Sequence, residues 1–167
     1  SILPGGLNNW TKSGGEVTDK VTLISKGNFT ANKERKELVV SLNQMINVSK
    51  NINSTILDAR SYKRFTGEAN EPRPGLSSGH IPNSKSLPSS DLINNDGYLK
   101  SLNELNSIFS KGKFSVNDDI IATCGSGVSA CVIAIALFCM GKTDVKIYDG
   151  SWTEWASSGQ EIVKGKE

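Results

Sequence analysis

The stretch DDIIATCGSGVSACVIAIALFCMG, residues 118–141, constrains the fold of this chain more than any other. A short apolar run ends at Cys124, a Gly-Ser-Gly turn follows, and an apolar run of helical length starts at once. A strand that passes directly into a buried helix is the unit of a parallel sheet, because parallel neighbours need a crossover connection. The rest of the chain repeats this alternation. ELVVS, STILDAR, SKSLP, DIIATC and DVKIYD read as strands, and SLNQMINVSK, SLNELNSIFS and VSACVIAIALFCM as helices. Capping boxes at Ser41/Gln44 and Ser101/Glu104 open the first two helices. The pattern predicts an α/β fold, a parallel sheet flanked by helices on both faces, with ligands bound beyond the carboxyl ends of its strands. Cys124 lies at such an end.

That position gives the cysteine a chemical meaning. The backbone N–H groups of Gly125, Ser126, Gly127, Val128 and Ser129 can curl inward, and the helix starting near Val128 adds the positive end of its dipole. Both effects favour a thiolate, so Cys124 is the candidate nucleophile. Cys131 and Cys139, inside the apolar helix, read as small packing residues. A cysteine phosphatase needs an arginine six residues after its cysteine, and Ala130 stands there. A papain-like protease needs a histidine partner, and the single histidine, His80, sits in a turn-like SGHIPNS context. Three cysteines without a CxxC pair, far from that histidine, predict no metal site, and an odd count predicts free thiols in a reducing compartment. A net charge of +2 with scattered Lys and Arg argues against a nucleic-acid surface, and CVIAIALF is too short to span a membrane.

The two ends of the chain echo each other. ILPGGLNNWTKSGGEV (2–17) aligns without gaps on IYDGSWTEWASSGQEI (147–162), matching Ile2/Ile147, Gly5/Gly150, Trp10/Trp155, Ser13/Ser158, Gly14/Gly159 and Glu16/Glu161. An internal duplication with a 145-residue period accounts for this register. It predicts that residues 1–17 are the last strand and helix of a preceding repeat, 18–36 a linker and 37–167 the catalytic domain.

LDARSYKRFTGEANEPRPGLSSGHIPNSKSLP, then CGSGVSAC and YDGSWTEW, resemble the C-terminal repeat of the two-domain mercaptopyruvate sulfurtransferases in the rhodanese superfamily. The resemblance covers about residues 37–160. It implies a rhodanese-like sheet without a cofactor, and a Cys124 that takes sulfur from 3-mercaptopyruvate, or weakly from thiosulfate, as a persulfide. The acceptor would be cyanide or a thiol such as that of thioredoxin. Arg64 and Arg73 would bind the carboxylate and keto oxygens of the substrate, Ser126 would hydrogen-bond near the sulfur, and His80 would be structural. The N-terminal repeat of such proteins contributes polar groups to the site, and none of those positions is in this sequence. The same resemblance extends to fungal relatives that relay persulfide from a cysteine desulfurase to a sulfur-accepting activating enzyme for tRNA thiolation. It places the chain in the cytoplasm or the mitochondrion. Among the remaining residues, Asp58 and Arg60 read as a structural ion pair, Trp152 and Trp155 as core, and Asn83 as a left-handed turn residue.

Overall fold

A computed structural model describes residues 2–31, 33–51 and 53–166. Ser1 and Glu167 at the predicted outer boundaries, Asn32 of the predicted linker and Ile52 lie outside the described residues. In chain order the elements are α1 (Gly6–Lys12), β1 (Val39–Val40), α2 (Leu42–Ser49), β2 (Thr55–Asp58), α3 (Tyr62–Thr66), β3 (Ser84–Ser86), α4 (Leu102–Lys111), β4 (Ile120–Thr123), α5 (Ala130–Cys139), β5 (Lys146–Tyr148) and α6 (Ser151–Ser157). Single 3-10 turns occupy Lys36–Leu38 and Ser89–Leu92.

The five strands form one sheet in the order β1-β5-β4-β2-β3, with every pairing parallel. Side chains alternate along a strand, so each strand divides its apolar residues between two cores. Leu57, Ala59, Ile120, Ala122 and Cys124 face Leu105 and Phe109 of α4 and Ile133, Ala136 and Leu137 of α5. Ile56, Ile121 and Tyr148 face Met45 of α2 and Trp152 and Trp155 of α6. Helices therefore cover both faces, as the alternating pattern requires. Ser41/Gln44 and Ser101/Glu104 form complete capping boxes at α2 and α4.

The structure departs from the sequence expectations in four places. α3, a single turn closed by Gly67 at φ 81°, lies in a segment read as turn-rich, because five residues are too few to show a helical period. α5 starts at Ala130, two residues later than expected, after a tight turn over 128–129. Cys131 and Cys139 are exposed and do not pack in the core. The α5 run is apolar all round, so its periodicity could not show that only the Ala130, Ile133, Ala136 and Leu137 stripe faces the sheet. Residues 2–4, expected as a strand, join none of the five strands.

The echo of the two ends extends to their geometry. α1 and α6 are seven residues each and offset by the same 145 positions. Trp10 Nε1 donates to the Glu16 carbonyl at 2.8 Å, and Trp155 Nε1 to the Glu161 carbonyl at 2.9 Å. Trp155 is buried against the sheet, whereas Trp10 is 45% exposed.

Candidate active site

β4 and β5 are neighbours in the sheet, so the loop after β4 lies directly beside the turn that opens α6. Cys124 follows β4 as a buried residue, 2% exposed, at the floor of this loop. The loop is clamped from the α6 side. Trp152 N–H donates to the Cys124 carbonyl at 2.9 Å, and both the N–H and the hydroxyl of Thr153 donate to the Gly125 carbonyl, at 3.1 and 2.6 Å. The Ser151 hydroxyl accepts from the Cys124 and Gly127 amides at 3.1 and 2.9 Å. Gly127 has φ 80°, and a Cβ there would come within 2.8 Å of Asp149 Oδ1, so only glycine fits this bend.

Burial pushes the Cys124 thiol up. A hydrogen bond from the Ser129 hydroxyl and the amides of Ser126, Ala130 and Ser129 outweigh it, and the net direction is down. The hydroxyl that reaches the sulfur belongs to Ser129, and Ser126, expected to hydrogen-bond near the sulfur, does so through its backbone N–H. Val128, the remaining loop residue, is also exposed. Cys131 moves the other way, raised by desolvation of its sulfur and by the charges of Cys124 and Asp149. Alkylation followed site by site against pH is therefore expected to label Cys124 at lower pH than an ordinary cysteine, and Cys131 only at higher pH. Labelling of Cys131 before Cys124 would contradict this electrostatic picture.

Arg64 and Arg73 both reach the loop. A Cβ placed on Gly125 would lie 3.0 Å from Arg64 Nη2 and 3.8 Å from Arg73 Nη1. The two cations differ in how they are held. Arg64, on α3, makes a two-pronged ion pair with Glu71, Nε–Oε1 at 3.1 Å and Nη2–Oε2 at 2.6 Å. Arg73 is exposed and makes no hydrogen bond or ion pair among the described residues, so its full charge is available to an anion.

Behind Arg64 lies a buried ionic network that the sequence reading caught only in part. Arg60 pairs with Asp58 at 2.6 Å with both side chains fully buried, as expected. It also binds Glu71 at 2.9 Å and the Gly79 carbonyl at 2.8 Å, and its guanidinium lies 4.3 Å over the Trp152 ring. Glu71, unassigned from sequence, is the link that joins this network to Arg64; its signal was only its place two residues before Arg73. His80 is buried, stacks on Phe65 with centroids 3.8 Å apart and uses Nδ1 on the Phe65 carbonyl at 2.8 Å. This hydrogen bond through the ring is structural. Asn83 adopts the left-handed φ of 61° expected for it. No cluster of potential metal ligands occurs among the described residues, and none of their helices is long and apolar enough to cross a membrane.

A parallel sheet with a thiol at a strand end, cupped by backbone amides and approached by two arginines, makes a candidate thiol-centred, anion-binding site. The rhodanese-like domain family matches residues 39–158, and the chain belongs to that family. It is 38% identical over 176 residues to the Arabidopsis thaliana thiosulfate/3-mercaptopyruvate sulfurtransferase 1, mitochondrial, covering 93% of this chain and 46% of that protein. It is 39% identical over 158 residues to the thiosulfate sulfurtransferase of Cricetulus griseus, covering 93% and 52%. The crystal structure of a 3-mercaptopyruvate sulfotransferase from Escherichia coli superposes with a TM-score of 0.73 at 36% identity, over 91% of this chain and 56% of that one. The chain thus spans about half the length of the relatives it matches.

Proposed function

We propose that this chain is the catalytic repeat of a 3-mercaptopyruvate sulfurtransferase, with Cys124 as the sulfur carrier and Arg64 and Arg73 as the anion-binding pair. The observation that carries this reading is the convergence of two guanidiniums on Gly125, next to a thiol whose pKa is held down by Ser129 and the loop amides. In the first half-reaction the Cys124 thiolate attacks the mercaptopyruvate sulfur. The carbon–sulfur bond breaks, its electron pair leaves with the pyruvate enolate, and the donor thiol's proton balances the protonation of that carbon. The persulfide left on Cys124 then loses its outer sulfur to an acceptor thiolate, such as that of thioredoxin, which regenerates the Cys124 thiolate. Cyanide in place of the thiol gives thiocyanate.

The echo of α6 in α1 supports reading residues 1–17 as the end of a preceding rhodanese-like repeat and 18–36 as the connection to the catalytic domain. The exposed Trp10 is the face such a repeat would cover. That repeat would supply the polar groups that assist proton transfer to the enolate carbon. A mitochondrial or cytoplasmic setting, with its reducing poise, suits the free thiols.

Charge distinguishes the donors. The Cys124 loop itself carries no Lys or Arg, so a compact dianion such as thiosulfate has only the two guanidiniums near Gly125, one of them paired with Glu71, to offset its charge beside the sulfur. Mercaptopyruvate carries its charge on a carboxylate away from the sulfur, within the reach of guanidiniums. Arg73→Ala is the cleaner test because Arg73 has no hydrogen-bond or ion-pair partner among the described residues to leave behind. A charge-assisted hydrogen bond is worth roughly 1.5–3 kcal/mol, so kcat/KM for pyruvate release from mercaptopyruvate is expected to fall about ten-fold or more, with a smaller loss for thiosulfate. Equal losses with both donors would overturn Arg73 as the carboxylate-binding residue, and sulfur transfer only from a cysteine desulfurase, with no pyruvate released from mercaptopyruvate, would overturn the enzyme assignment in favour of a relay between proteins.

A further inference from the structure

Ser151 is fully buried and has a φ of 50°, a conformation that side chains rarely adopt. Its counterpart in the echo, 145 positions earlier, is Gly6, with a φ of 60°. Glycine meets the same backbone demand without steric cost, so the serine at 151 is not explained by the turn itself. Its hydroxyl gives the explanation. The single proton goes to the Tyr148 carbonyl at 2.8 Å, and the oxygen accepts the amides of Cys124 and Gly127. The Thr123 hydroxyl lies 3.4 Å away on the same side. The donor and acceptor capacity of one hydroxyl is filled by the strand end before it and the loop beside it.

We infer that Ser151 is a positioning residue for sulfur transfer, whose hydroxyl sorts the amides of the Cys124 loop into two sets. The amides of Cys124 and Gly127 are drawn down onto Ser151, away from the sulfur. With those two fixed, the loop turns the amides of Ser126, Ser129 and Ala130 toward the thiol, which needs them as a thiolate and again as a persulfide anion. Trp152 and Thr153 hold the loop carbonyls of Cys124 and Gly125 but leave the amides unbound. Ser151 is therefore the one group of the α6 turn that sets which N–H groups face the substrate. This rests on Cys124 being the sulfur carrier.

Ser151→Gly removes the hydroxyl and relaxes the backbone, while Ser151→Ala removes it and keeps the strain. Both variants are expected to lose about three- to ten-fold in the neutral-pH rate of Cys124 alkylation by iodoacetamide, with the pH midpoint moved toward that of an ordinary cysteine. Recovery of the wild-type profile in Ser151→Gly would show that only the backbone angle matters and overturn the inference. So would a profile unchanged in both variants. A readout independent of mutation is amide hydrogen exchange in the unmodified chain, where the Cys124 and Gly127 N–H groups are expected to be strongly protected; rapid exchange at Gly127 would contradict the clamp even if neither variant folds. If instead Cys124→Ser retains sulfur transfer, the function proposed for Cys124 fails, and the exchange data still report on the clamp separately.

Discussion

Arg60→Ala is expected to destabilise the chain by about 3–5 kcal/mol, the cost of removing one partner from a buried ion pair and leaving the others uncompensated. Asp58 and Glu71 are both buried, and each loses a charged hydrogen bond when Arg60 goes. Trp152 loses the guanidinium over its ring, and the Gly79 carbonyl loses its donor. At about 2–4 °C per kcal/mol for a chain of this size, the melting temperature falls by roughly 6–20 °C. The comparison is Arg35→Ala, which breaks an exposed pair with Glu37 and is expected to leave the melting temperature close to that of the unmodified chain. Thermal denaturation of the two variants side by side decides the matter. Similar melting temperatures would mean that the buried network does not hold the site together.

The effect of Cys124→Ser is expected to be complete. An oxygen at this position keeps the loop packing but forms neither a thiolate nor a persulfide near neutral pH, so transfer falls to the background rate while the fold remains. Cys131→Ser and Cys139→Ser are expected to leave transfer essentially unchanged. Cys139 points to solvent from the last turn of α5, and the Cys131 thiol is raised, not lowered, by its surroundings. Sulfur transfer assayed with each single variant separates the three thiols. Residual transfer by Cys124→Ser that disappears on a second substitution at Cys131 would move the carrier role to α5.

The frame of this protein was legible because its signals are local. The alternation of apolar runs gave the sheet and its helices, and serine followed three residues later by Gln or Glu marked where α2 and α4 begin. A glycine turn between a strand and a helix marked Cys124 as the candidate thiol. The groups that tune that thiol were less legible because they arrive through topology. Ser151 is 27 residues from Cys124 in sequence, and only the pairing of β4 with β5 sets their loops side by side. Glu71 is set apart in sequence only by standing two residues before Arg73, which does not reveal it as the bridge between two other arginines. Ser126 and Ser129 differ only in which way a curled loop turns them, and residue type cannot report that. The exposed cysteines of α5 show the converse limit, since a helix apolar on every side hides the face that packs.

The central claim is that sulfur resides on Cys124 between donor and acceptor. Brief incubation of the chain with mercaptopyruvate in the absence of an acceptor, followed by non-reducing digestion and mass analysis, tests it most directly. A gain of one sulfur, about 32 Da, confined to the peptide containing Cys124 and lost on adding a thiol or cyanide, is the predicted result. The same gain on the Cys139 peptide, or turnover to pyruvate with no sulfur-bearing Cys124 peptide at any time, would contradict it.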